Sequence, residues 1–492
     1  MGTERSYVIH GFEPERVFRY FEEISAIPRP SGHEGGVADY LETFAAARGL
    51  ACERDRQNNV LIRLPATPGR EGEAPLLLQG HTDMVCEKNA GTEHDFLRDP
   101  LQLQLDGHLL SAVGTSLGGD DGVAVAMMLA LLDGEVTSHP ALECLFTTEE
   151  ETGMGGAIAF DYGRLTARHM VNLDSEEEAQ VTAGCAGGVR SDLRLPCRWV
   201  PAQGTLCRVS ISGLCGGHSG ENIDCGRMNA NLLMGRLLQA MRGRGGWGLV
   251  GIAGGTKDNA IPRECEAVLA VDDPAAFGMA FLTLADTVEN EMVPEDRGCR
   301  ICFERLTAGE SGKYPRMMEE GTVRTVLAVL TNVPTGVLAM SHEVPGLVEF
   351  SRNLGILATD EDEVRMTISS RSAKDSQLDA STQGLDALAA LCGGTVRHYS
   401  RYPGWRYAVQ SAVRDAYLAA YADEFGSTPE VKTIHAGLEC GYIAQQIPEM
   451  DMISVGPDMK GIHSPDEVLD LASVERVWRV LARVITGWKV PS

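Results

Sequence analysis

The stretch Leu76-Leu-Leu-Gln-Gly-His-Thr-Asp83 does most to limit what this chain can fold into. An apolar run of strand character ends in a glycine, and a His-x-Asp pair follows at once. In extended chain His81 and Asp83 fall on one face, because side chains alternate with period two. A histidine that ligates a metal commonly passes its other ring proton to a carboxylate, which fixes the tautomer. The pair alone fits a buried histidine satisfied by an acid just as well. Its weight comes from repetition of the same design. Ala141-Leu-Glu-Cys-Leu-Phe-Thr-Thr runs into Glu149-Glu150-Glu151, and His169-Met-Val-Asn-Leu runs into Asp174. Met452-Ile-Ser-Val-Gly leads through a short loop to His463. Asp120 and Asp121 precede an apolar stretch, Val123 to Leu132, that reads as a buried helix. Each feature has a plainer reading: an N-cap for Asp120, a solvated turn for the three glutamates. Together they predict a metal site, since parallel α/β sheets bind ligands beyond the carboxyl ends of their strands.

A chain of 492 residues exceeds one ordinary core, so two or three domains are expected. The formal charge of −26 argues against nucleic acid or an anionic membrane surface as partner. Thirteen cysteines are an odd number, and the opening Met-Gly-Thr-Glu-Arg-Ser carries no apolar signal run. Both point to a reducing cytoplasm. Cys299-x-x-Cys302 has no second pair and reads as two ordinary thiols. Gly2 with Ser6 fits a myristoylation pattern, but no basic cluster accompanies it, so it reads as chance.

Helices are expected over residues 13–24, with Pro14 near the start, and over 34–47, ended by Gly49. A strand over 59–64 precedes the Leu76 run, and 87–113 is loop with short β segments. Helices alternating with strands give an α/β layer architecture. The texture changes between about 186 and 400, where β segments near 205–213, 264–271 and 363–370 mix with a helix near 229–242. This is an α+β insertion flanked on both sides by the metal-competent residues. Within it, His218 lies among glycines in Gly213-Leu-Cys-Gly-Gly-His-Ser-Gly, free for a ligand or simply solvated, and Ser369-Ser-Arg371-Ser stands out beside it.

With these residues assembled, the chain resembles the M20 family of co-catalytic zinc peptidases, and within it the aminoacyl-histidine dipeptidases, or cytosolic non-specific dipeptidases. The marks are Ile27-Pro-Arg-Pro-Ser-Gly-His-Glu, Gln79-Gly-His-Thr-Asp-Met-Val, Gly114-Thr-Ser-Leu-Gly-Gly-Asp-Asp-Gly and Phe146-Thr-Thr-Glu-Glu-Glu-Thr-Gly-Met. Gly216-Gly-His-Ser-Gly, Asn259-Ala-Ile-Pro-Arg-Glu, Ser370-Arg-Ser, His435-Ala-Gly-Leu-Glu-Cys-Gly and Gly461-Ile-His-Ser-Pro complete them. The resemblance implies a zinc-exopeptidase-like three-layer α/β catalytic domain, residues 1–185 and 401–492, with an α+β lid inserted over 186–400. It implies two zinc ions bridged by Asp120, one completed by His81 and Asp174, the other by Glu151 and His463. Asp83 would orient His81, and Glu150 would be the general base. His218, Asn259 and Arg371 match lid positions that contact substrate, and relatives dimerise through the lid. The bond between Asp120 and Asp121 is expected to be cis. Three positions depart from the common pattern: Gly119 where Ala is frequent, Asp121 for Asn, and Glu149 for Asp. None removes a ligand or the base.

The residue types suit amide hydrolysis. Paired zinc acidifies a bridging water and polarises a carbonyl, and a mixed oxygen and imidazole set suits zinc, with manganese or cobalt as substitutes. Glu150, kept off the metals, can carry a proton from that water to the leaving nitrogen. An arginine reading a free carboxylate limits substrates to short peptides, and the resemblance implies Xaa-His dipeptides among them. Two rivals remain: an N-acyl amino acid amidohydrolase on the same scaffold, and a non-catalytic binding protein, for which an intact Glu150 would have no use.

Overall fold

A computed structural model describes residues 7–490, so Gly2 and Ser6 lie outside the described residues. The chain divides into two units. The first comprises residues 1–185, 405–433 and 438–492, and the second comprises 186–404 and 434–437. The sequence reading of a lid over 186–400 did not include the return at 434–437.

In the first unit, an eight-stranded sheet is ordered Ala51–Arg54, Val60–Leu64, Leu142–Thr147, Leu76–His81, His169–Asn172, Asp451–Ser454, Gln180–Cys185, Glu430–Ile434. Its four central strands, from Leu142–Thr147 to Asp451–Ser454, are parallel. The Leu76–His81 strand is buried from end to end, as a central parallel strand covered on both faces must be. Alternate residues such as Ile62, Leu76, Leu78, Phe146 and Ile453 join one apolar core with the helices Glu15–Ser25, Gly119–Leu132, Ala412–Phe425 and Leu471–Gly487. Truncating one of these leucines to alanine costs about 2–5 kcal/mol.

Helix boundaries follow local chemistry. Gly35–Arg48 ends on Gly49 in the left-handed conformation, and Leu471–Gly487 starts where Asp470 accepts the Ala472 and Ser473 N–H groups. The Gly119–Leu132 helix is buried along its whole length and packs tightly on the His81 strand. A Cβ at Gly80 would lie 2.5 Å from Asp121 Oδ2 and 2.6 Å from Ala124 Cβ, so only glycine admits this approach. Among the described residues, no helix is long and apolar enough to cross a membrane, and all thirteen cysteines are free.

The second unit is built on a nine-stranded antiparallel sheet. Its path runs Arg300–Arg305, Thr205–Ser212, Cys265–Val271, Trp247–Gly254, Val348–Thr359, Glu363–Ser372, Gly187–Pro196, Thr395–Tyr402, with Gly336–Met340 beside Val348–Thr359. The helices Ala230–Ala240, Pro274–Glu289 and Glu320–Asn332 share a core with it. Asn229 caps the first of these, accepting the Asn231 and Leu232 N–H groups. A two-stranded ribbon sets His218 opposite Ala260, the neighbour of Asn259.

Candidate functional site

Because the central strands of the first unit are parallel, their carboxyl ends share one edge of the sheet. His81 is the last residue of its strand, Glu149 to Glu151 lie just beyond Thr147 and Asp174 just beyond Asn172, and His463 follows the short strand Met459–Lys460 that comes after Asp451–Ser454. Asp120 enters from the start of the Gly119–Leu132 helix, where its φ/ψ of −78° and 108° are not helical. The Asp120–Asp121 peptide is cis.

The Asp120 carboxylate stands between two histidines. Its Oδ1 is 3.0 Å from His81 Nε2, and its Oδ2 is 3.2 Å from His463 Nε2. Asp174 Oδ1 lies 3.7 Å from His81 Nε2, and Glu151 Oε1 lies 3.0 Å from His463 Nε2. Glu151 Oε1 is buried and makes no hydrogen bond. Donor atoms converging about 3 Å apart, with one buried oxygen unsatisfied, are what ligands around a cation at about 2.0–2.2 Å look like. The donor types and spacing therefore fit metal binding, with Asp120, Glu151 and His463 close enough to share one ion. Asp121 also lies within reach of His81 and Asp174. Its Oδ2 accepts the His81 N–H at 3.1 Å, while its Oδ1 is buried without a partner.

Surrounding groups hold these donors. Asp83 Oδ1 is 3.3 Å from His81 Nδ1 and accepts the Glu150 N–H at 3.1 Å. Asp83 Oδ2 takes the Ser31 hydroxyl at 2.7 Å and the Glu151 N–H at 3.3 Å. One carboxylate thus stands beside the His81 ring and is bonded to the turn carrying the general-base candidate. Glu467 accepts four consecutive N–H groups, from Leu117 at 2.7 Å to Asp120 at 3.4 Å. The buried Arg29 guanidinium donates to the carbonyls of Thr82, Asp83 and Gly118. It thereby locks the His81 loop to the Asp120 loop. Arg29 and Glu467 have no role in the sequence reading. A charged residue between two prolines and an acid just after His-Ser-Pro-Asp are weak local signals for contacts made so far along the chain.

Charge sets the protonation of the metal-free centre. Burial opposes a proton on His81, yet Asp174, Asp120 and Asp83 hold its pKa well above the ordinary value. The neighbouring Asp120 and Glu151 carboxylates raise His463 to about 10. Burial pushes Asp174 up, with Asp121 adding to it. Asp120 is pulled down by His463 and His81 against the effect of its burial. Burial lifts Glu150 to about 8; His81 opposes this, and the Glu439, Glu151 and Asp120 charges add to it. To bind a metal, each imidazole must first shed its own extra proton. Metal loading at about pH 7 is therefore expected to release protons, and its affinity to rise from about pH 6 to 8. Titration calorimetry in buffers of different ionisation enthalpy measures both; an affinity flat over that range would contradict it.

The remaining expected residues lie in the second unit. Arg371 is 8% exposed, and its Nη1 donates to the Tyr402 hydroxyl at 3.2 Å and the His435 carbonyl at 3.3 Å. Its Nε is buried and unpartnered. His435 Nε2 is 2.6 Å from Ser351 Oγ, and burial, with Arg371 and His218 nearby, presses it down to about 3. It is a neutral imidazole whose place in the cluster the sequence reading missed, although its motif was visible. His218 is half-buried, its pKa lowered by burial and by Arg371. Asn259 is held through its backbone, its carbonyl accepting the Ser219 N–H at 2.9 Å.

Comparison with known proteins gives the family and the fold. Residues 77–487 match peptidase family M20/M25/M40. The chain is 37% identical over 476 residues to the cytosol non-specific dipeptidase of Escherichia coli (strain K12), covering 96% of this chain and 97% of that one. The crystal structure of an aminoacylhistidine dipeptidase from Vibrio alginolyticus matches with a TM-score of 0.94 at 34% identity, over 99% of both chains. An aminopeptidase, PepT, from Bacillus cereus shares the fold, with a TM-score of 0.55 and 14% identity over 96% of this chain and 98% of that one.

Proposed function

The chain belongs to peptidase family M20/M25/M40, and from that premise we propose that this metallopeptidase cleaves dipeptides, Xaa-His among them, at a two-zinc centre. The observation that carries the reading is the Asp120 carboxylate, with one oxygen toward His81 and the other toward His463. His81 and Asp174 would hold one ion, Glu151 and His463 the other, with Asp120 common to both. Oxygen and imidazole donors of this kind suit zinc, with manganese or cobalt as substitutes. When bound, the metal pair supplies a Lewis acid for the carbonyl and a water acidic enough to attack near neutral pH.

The chain's own groups do the rest. Asp83 holds His81 in one orientation and, through the Glu150 and Glu151 N–H groups, fixes the turn on which the base sits. Glu150 accepts the proton of the attacking water at its carboxylate and passes it to the departing nitrogen. Peptide bond cleavage is balanced by that single transfer: water adds its oxygen to the carbonyl carbon, and both of its protons end on the products. In the second unit, Arg371 is assigned to the substrate carboxylate, and His218 and Asn259 to further substrate contacts. The unpartnered Nε of a buried guanidinium supports that assignment. The free thiols and the name of the Escherichia coli relative, a cytosol dipeptidase, support a cytoplasmic location.

The test is hydrolysis of β-Ala-His, Leu-Gly, N-acetyl amino acids and a tetrapeptide, before and after chelation and on return of Zn²⁺. Dipeptide cleavage that stops with chelator and returns with zinc is the expected result. Activity confined to the acylated amino acids would make the protein an amidohydrolase instead.

A further inference from the structure

Glu439 opens the short helix Glu439–Gln446 and is 1% exposed. The chain passes through residues 434–437 in the second unit and re-enters the first at Leu438, one residue before it. An acid in the first turn of a helix ordinarily faces water and eases the dipole. This one is buried, and burial pushes its carboxyl up to about 7. A group held there against its solvation is held by specific partners. Its Oε2 takes the side-chain amide of Gln79 at 2.6 Å and the hydroxyl of Thr147 at 2.7 Å, while its Oε1 is buried with no hydrogen bond.

Those partners are not arbitrary. Gln79 sits two residues before His81, and Thr147 ends the strand that leads to Glu149–Glu151. Gln79 Oε1 in turn accepts the Asn172 side-chain amide at 2.7 Å, and Asn172 Oδ1 accepts the Asp174 N–H at 3.3 Å. One carboxylate oxygen is thus the hub of a buried network crossing three adjacent parallel strands, each just short of a metal-ligand candidate.

We propose that Glu439 is a positioning residue: through Gln79, Thr147 and Asn172 it holds the strand ends carrying His81, Glu150, Glu151 and Asp174 in the spacing the two ions require. It touches neither substrate nor metal. The inference rests on the metallodipeptidase reading and adds to it a residue outside the ligand set. What the network uses is an acceptor at Oε2. Glutamine, which keeps one carbonyl oxygen, should replace glutamate far better than alanine does.

The experiment uses the full chain and compares wild type, Glu439→Ala, Glu439→Gln, Thr147→Val and the Glu439→Ala/Thr147→Val double variant. Zinc affinity is read by competition with a chromophoric chelator, and kcat and KM on β-Ala-His. Losing an outer partner of a metal site costs about 10–100-fold in affinity or activity. Glu439→Ala is expected to weaken zinc binding and lower kcat by about that factor, with KM little changed. Glu439→Gln should recover most of both losses. The double variant should be no worse than Glu439→Ala, because the two residues act as one unit. Should Glu439→Ala fail to fold, Thr147→Val alone must still weaken zinc binding.

Wild-type zinc affinity in Glu439→Ala or in Thr147→Val, a glutamine variant as poor as alanine, or additive losses in the double variant would each overturn the proposal. A wild-type protein with neither bound zinc nor dipeptidase activity would instead overturn the metallodipeptidase reading. The two failures are therefore told apart by the wild-type control.

Discussion

Glu150→Gln is expected to lower dipeptide kcat by about 10²–10⁴-fold, the range that a positioned acid–base group contributes, while the protein keeps its full zinc content. Glutamine preserves the shape of the side chain and removes only its capacity to take and return a proton. The backbone N–H of Glu150, which Asp83 accepts at 3.1 Å, is untouched by the change, so the turn should stay in place. KM should move little, because the proton transfer belongs to the transition state. Buried surroundings that already lift the carboxyl to about 8 in the metal-free protein favour a group that exchanges a proton near neutrality. Metal analysis of the same sample separates two explanations of an inactive variant. Glu150 lies within ligand reach of His81 and Glu151. If zinc is lost along with activity, Glu150 is a ligand and the assignment of the base is wrong. A variant retaining more than about a tenth of wild-type kcat would remove Glu150 from the chemistry altogether.

The contrast between Glu150 and its supports shows what a sequence can and cannot carry. Apolar runs with strand character that end in acids or histidines are local features, so the Leu76–His81 and Leu142–Thr147 strands and the residues just beyond them could be read directly. The position of Asp120 at a helix start was also legible, because Val123 to Leu132 are apolar without a break. What holds these residues together was not. Glu467 reaches the Leu117 N–H across 350 residues, and Glu439 reaches Gln79 across 360. Neither partner leaves a mark on the other's neighbourhood. The same limit explains the domain boundaries. A change of texture near 186 announces a second unit, but residues 434–437 are too few to change composition, and they lie amid chain that otherwise belongs to the first unit.

Asp120→Ala should produce the largest loss of all, because no other side chain in the proposed set serves both ions. Removing it takes a ligand from each site at once and leaves His81 and His463 facing one another without the carboxylate that separates them. Glu151→Ala, by contrast, removes a donor from the His463 site alone. Metal analysis after dialysis is therefore expected to find Asp120→Ala almost empty and Glu151→Ala about half loaded. Activity of Asp120→Ala should fall on the order of 10³-fold or more, since the metals' charge stabilisation of several kcal/mol disappears with them. The metal-free state adds an independent readout. Asp120 has its pKa depressed by two histidines, so it contributes stability above the ordinary carboxylate range and loses that contribution only as pH falls through its lowered value. At about pH 7 the chelated Asp120→Ala protein should consequently melt below chelated wild type, and the difference should shrink as the pH drops into the acid range. Zinc content equal in the two alanine variants would mean that Asp120 is not shared. In that case Asp121, whose Oδ1 is buried and unpartnered beside His81 and Asp174, is the carboxylate to test next.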